Sequence, residues 1–85
     1  MDELLQQLSE QVCYTELVFQ RVNKKLKTVM TEAEVKVLVQ EILMDTKTSV
    51  EQRGKNYYVT SSVRHVRLTI NRFNCRLITA DRVAA

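Results

Sequence analysis

The apolar positions of this chain follow two different periods, which meet near Asp45. Leu4, Leu5, Leu8 and Val12 recur at steps of three and four, the interval that puts side chains on one stripe of a helix. They predict a first helix over about residues 2–12. Leu17, Val18, Val22 and Leu26 make a second apolar face, with Arg21, Lys24, Lys25 and Lys27 elsewhere on the segment. Thr15 stands where a short hydroxyl can accept a first-turn N–H, and Lys25 and Lys27 lie near the far end, where cations suit the helix dipole. Periodicity leaves open whether these two segments are one bent helix. Thr31 followed by Glu34 is a capping box, and Val35, Leu38, Val39, Ile42 and Leu43 then repeat at helical spacing. A third helix is predicted over residues 32–44.

Beyond Asp45 the period drops to two, and β-branched and aromatic residues take over, which marks a change to strands beginning near Ser49. Val50 to Arg53 and Asn56 to Thr60 flank Gly54-Lys55, and Gly at the first central position suits a two-residue type II′ hairpin. That register sets residue 50 against 59 and 52 against 57, with Val50, Tyr57 and Val59 facing the core and Glu51, Arg53, Tyr58 and Thr60 facing out. A second hairpin is predicted to join His65–Ile70 to Cys75–Ala80 around Asn71-Arg72-Phe73-Asn74. If Ile70 opposes Cys75 and Leu68 opposes Leu77, then Val66, Leu68, Ile70, Cys75 and Leu77 share the buried face. His65, Arg67, Thr69, Arg76 and Ile78 then fall on the other. The expected fold is α+β: two or three N-terminal helices, within residues 2–44, packed on one face of a four-stranded antiparallel sheet over residues 49–80.

Composition narrows the class. A chain of 85 residues suits one small domain, 1–85, with a single core. With 45% hydrophobic residues, no Pro and one Gly, the disordered, collagenous and linker classes are excluded. No apolar run approaches the ~18 residues of a membrane span, and the acidic start Met1-Asp2-Glu3 lacks the basic flank of a signal peptide. A cytoplasmic protein without a membrane partner is expected. Cys13 and Cys75 have no CxxC spacing and read as two buried thiols; His65, the single histidine, has no ligand partner at a recognisable interval. No metal or cofactor is expected.

Charge changes the picture more than composition does. Residues 1–45 carry five basic and eight acidic side chains, whereas residues 46–85 carry eight basic and two acidic. Six of those eight are Arg, whose planar fork can grip phosphate or carboxylate at two points. The sheet half is therefore a positive body suited to an anionic partner, though charged strands also serve simply to block edge pairing.

The chain resembles a family of small uncharacterised bacterial domains that share a helical TEL…R(I/V)xK(N/K)L segment, a GKN(W/Y)Y block and a strand pair reading ITVN…ITAH. The corresponding residues here are Thr15-Glu16-Leu17 with Arg21-Val22-Asn23-Lys24-Lys25-Leu26, Gly54-Lys55-Asn56-Tyr57-Tyr58-Val59, Leu68-Thr69-Ile70-Asn71 and Leu77-Ile78-Thr79-Ala80. Asp81 stands where the family pattern has a histidine, and Phe73-Asn74-Cys75-Arg76 replaces a more aromatic, uncharged stretch. The resemblance covers about residues 15–81 and implies a shared fold, with no assigned activity.

Candidate binding residues are those the register gathers on the uncovered sheet face or its turn: Arg53, Lys55, Tyr58, Arg67 and Arg76. Bases stack on exposed rings and arginines neutralise phosphates, although one ring is fewer than sequence-reading sheets carry and no RNP-type motif is present. Gly54-Lys55-Asn56 could cradle an anion on its backbone N–H groups, but a well-formed hairpin explains the glycine as well. The expectation is a non-enzymatic binding module for an anionic partner such as nucleic acid. The complementary charge of the two halves also suits an acidic protein surface or a homodimer, for which a sheet of this kind offers two edges. A toxin-like ribonuclease is the third alternative. There His65 and Tyr58 would carry protons and Arg67 or Arg76 would stabilise developing charge, but a solitary histidine at a strand start is more often solvated.

Overall fold

The third helix begins where the local chemistry supplies partners for its first N–H groups. The structure, a computed structural model, describes residues 3–83. Among them, α1 (Glu3–Gln11), α2 (Glu16–Leu26) and α3 (Glu32–Met44) precede β1 (Ser49–Arg53), β2 (Asn56–Ser61), β3 (Val66–Asn71) and β4 (Leu77–Arg82). The start of the first helix expected at residue 2 lies outside the described residues. At α3 both halves of the capping box form: Glu34 N–H donates to Thr31 Oγ1 (3.1 Å) and Thr31 N–H donates to Glu34 Oε1 (2.8 Å). Thr15 occupies the N-cap position of α2 in extended geometry, but its hydroxyl caps nothing; its carbonyl accepts from Val18 N–H instead. The first two helices are separate, because Cys13 between them is extended and pairs with the chain leading into β4.

The sheet is a meander of order β1-β2-β3-β4, every neighbour antiparallel. The first hairpin has the expected register, Val50 opposite Val59 and Gln52 opposite Tyr57. Gly54 supplies the positive φ of its turn, +58°, while Lys55 stays at negative φ, the sign pattern of type II′. The second hairpin departs from expectation. Ile70 lies opposite Leu77, not Cys75, and Leu68 lies opposite Ala80, not Leu77, with a bulge between the Thr69 and Ile70 pairs. The cause is a longer turn than the sequence suggested. Asn71 Oδ1 accepts from the N–H groups of Phe73 (2.8 Å) and Asn74 (3.2 Å), Cys75 takes left-handed geometry at φ 57°, and Asn71 N–H then donates to Arg76 O. Arg76 thus closes the turn instead of lying within a strand. His65 also moves: it sits in the β2–β3 turn at φ 54°, and β3 begins one residue later.

One face of the sheet and one face of each helix share a single core. Leu5 and Leu8 from α1, Val22 and Leu26 from α2, Val35, Val39 and Ile42 from α3, and Val59, Leu68, Ile70, Leu77 and Ala80 from the sheet are all buried. Two positions read from periodicity differ. Leu17 is 67% exposed, and Phe19 takes its place in the core, its ring stacked on Tyr14 at 5.5 Å. Cys75 is only partly buried and Cys13 is exposed, both as free thiols, because both belong to the turn end of the sheet. α2 runs beside β4 and closes that edge: Arg21 Nη1 donates to Ile78 O (3.2 Å), Cys13 N–H donates to Cys75 O and Leu77 N–H to Cys13 O (both 2.9 Å).

Candidate anion-binding surface

Strand alternation decides which side chains can meet a partner. With Val59 and Leu68 facing the helices, the opposite face carries three rows: Ser49, Thr60, Arg67 and Asp81; Glu51, Tyr58, Thr69 and Thr79; and Arg53, Asn56 and Asn71. Arg53, Tyr58 and Arg67 therefore share the uncovered face. Its electrostatics are balanced, however. Arg53 grips Glu51 at two points, Nε to Oε1 at 2.9 Å and Nη2 to Oε2 at 3.3 Å, and this hydrogen-bonded carboxylate raises the arginine's pKa further above its ordinary value. Arg67 hydrogen-bonds Thr60 Oγ1 (3.3 Å) and lies across the ladder from Asp81, which in turn pairs with Lys25 at 3.5 Å. Tyr58 is half-buried, with the Arg53 guanidinium 5.9 Å from its ring centre.

Excess positive charge gathers instead where both hairpins turn. Arg72 N–H donates to Lys55 O (2.9 Å) and Arg72 Nη1 to Gly54 O (3.4 Å), so the two turns are tied side by side. Lys55, Arg72 and Arg76 are exposed there, and none forms an ion pair with a described carboxylate. Beside them Phe73 is 74% exposed, with the Arg72 guanidinium 5.0 Å from its ring centre. Arg76 reaches from this end toward the start of α2, lining a shallow groove with Thr15, Leu17 and Arg21.

Of the residues singled out in the sequence, Arg53, Lys55 and Arg76 stand at this end, Tyr58 at mid-sheet, and Arg67 about 13 Å along β3 from Asn71. Arg67 and Arg76 are not brought together. His65, exposed in the opposite turn, is roughly 20 Å from the Arg76 end and stands two residues before Arg67 in the chain. Arg72 and Phe73, which also stand at this end, are not among the candidates read from the sequence. Their signal was an aromatic next to a cation at the tip of a polar turn, where no core can receive a ring. Among the described residues no three His, Cys, Asp or Glu side chains group to hold a metal, and no helix is long and apolar enough to cross a membrane.

Helices on one face of an antiparallel meander, with cations and one ring at the hairpin tips, define a small α+β domain. The family model described as "Protein of unknown function (DUF3781)" matches residues 6–81, and the chain belongs to that family. No curated protein and no solved structure matches the chain.

Proposed function

We propose that this protein is a non-enzymatic binding module that contacts single-stranded nucleic acid through the turn end of its sheet. Lys55, Arg72 and Arg76 meet phosphates, Phe73 stacks on a base, and Arg53, Tyr58 and Arg67 extend the contact onto the uncovered face. The observation that supports the reading is the coincidence of three cations lacking carboxylate partners among the described residues with an exposed ring. A cation over one face of Phe73 leaves the other face for a base, and such stacking contributes ~1–3 kcal/mol per base. Three phosphate contacts give a log–log salt slope of about −2 on a single strand.

Fluorescence anisotropy of a labelled single-stranded RNA, titrated with protein between about 50 and 200 mM salt, tests this. Binding with that slope is expected, weakened by Phe73→Ala and removed by joint Lys55→Glu, Arg72→Glu and Arg76→Glu substitution. Absence of binding, or equal binding by the triple variant, overturns the proposal.

A further inference from the structure

The two edges of the sheet are unequal. β4 is closed by Cys13 and by α2, whereas β1 carries nothing along its outer side among the described residues. In a two-residue hairpin the residues flanking the turn exchange both backbone hydrogen bonds, so Arg53 and Asn56 form such a pair, as do Glu51 with Tyr58 and Ser49 with Thr60. The backbone groups of Val50 and Gln52 must then point outward, away from β2. Edges are usually protected by Pro, by a bulge or by charges that repel a second strand. β1 has neither Pro nor bulge, and its two charges, Glu51 and Arg53, are opposite in sign and on the same face.

We infer that β1 pairs antiparallel with β1 of a second copy of this chain, about a two-fold axis through Gln52. Hydrogen-bonding geometry requires outward-pointing positions to meet each other, which limits the register. Centring the pair on Glu51 sets two carboxylates face to face, and centring it on Arg53 does the same with two guanidinium groups. Centring it on Val50 leaves Glu51 opposite Ser49. Only the register centred on Gln52 places Glu51 opposite Arg53 of the second copy and Arg53 opposite its Glu51. Each Arg53 keeps the Glu51 of its own strand beside it, 2.9 Å away, so four side chains alternate in sign around the axis. Gln52 meets its own copy, and two amides can donate and accept reciprocally. The product is one continuous eight-stranded sheet with an isologous interface. A ribbon this short buries little area, so the association is reversible and concentration-dependent.

Sedimentation equilibrium of the full chain from about 10 µM to 1 mM in low salt gives the test. Dimerisation is expected over this range. Arg53→Glu weakens it by about tenfold or more, and the reciprocal variant Glu51→Arg with Arg53→Glu restores it, because the alternation of sign survives the exchange. Gln52→Pro abolishes it while leaving the circular dichroism spectrum and thermal midpoint of the monomer unchanged, since that N–H takes no part in the β1–β2 ladder. A monomer at every concentration overturns the inference. So does a dimer that tolerates both Gln52→Pro and Arg53→Glu.

Discussion

Arg82, the last residue of β4, donates from Nε (3.2 Å) and Nη2 (3.0 Å) to the carbonyl oxygen of Leu26, the last residue of α2. Carbonyls at a helix C-terminus lack intrahelical partners and carry the negative end of the dipole, so a guanidinium satisfies both needs together. It also fixes where α2 ends relative to the strand whose edge it covers. Replacing Arg82 by Met keeps the aliphatic stem and removes the donors. Urea unfolding is expected to show a loss of about 1–2 kcal/mol, at or below the lower end for hydrogen bonds from a charged group because Arg82 is exposed, and Arg82→Lys recovers part of it.

Lys27 follows directly at φ 57° and ψ 49°, with its N–H donating to Asn23 O. A side chain in left-handed geometry costs about 1–2 kcal/mol, and the gain from glycine is reduced by the greater freedom glycine has when unfolded. Lys27 is exposed, so removing its side chain costs no packing. Lys27→Gly is expected to stabilise the fold by about 0.5 kcal/mol, read as a higher urea midpoint with an unchanged slope.

The turn that carries the proposed site depends on Asn71, whose Oδ1 accepts two backbone N–H groups. Asn71→Ala removes both acceptances and is expected to cost about 1–2 kcal/mol. Because Arg72, Phe73 and Arg76 are placed by this turn, the same substitution weakens RNA binding at temperatures where the fold persists. Asn71→Asp retains the acceptor and keeps the turn, so an equal stability loss in both variants would show that the side-chain acceptor does not hold it.

That turn also marks where the sequence stopped being legible. Helix boundaries were readable because Thr31 and Glu34 have one strong joint use, and the first hairpin because Gly54 is cheap only at a position needing positive φ. The outward placement of Arg53, Tyr58 and Arg67 followed from alternation by two. The second hairpin offered no such punctuation. Its left-handed residue is Cys75, not a glycine, and the added strand residue near Ile78 looks like ordinary alternation. An error of two residues there moved Arg76 out of the sheet and hid the gathering of cations at the hairpin tips. Exchange of Leu17 for Phe19 has a related cause. Leu17 and Phe19 flank Val18 about 100° to either side on the helix, and the larger area of the ring, stacked on Tyr14, decides which flank is buried.

Tyr14 gives a prediction in pH. Its hydroxyl is buried without a hydrogen-bond partner among the described residues, while its ring stacks on Phe19 beneath the Lys36 ammonium, 5.6 Å from the ring centre. Burial, with a smaller contribution from Cys13, raises its pKa above the ordinary tyrosine value of about 10. The folded state then holds the phenolic proton more tightly than the unfolded chain. Below pH about 10 both states are protonated and stability does not depend on this group. As pH rises past that value the unfolded chain ionises first, and stability falls until the folded pKa is reached. Tyr14→Phe removes this alkaline loss. It also removes an unsatisfied hydroxyl without disturbing the ring stack, so it is expected to stabilise the protein by about 1 kcal/mol at neutral pH. Urea midpoints of both proteins, measured between pH 7 and about 11, should therefore diverge above pH 10. Parallel curves, or a destabilised Tyr14→Phe, would mean that the hydroxyl has a partner that lowers its energy in the folded state.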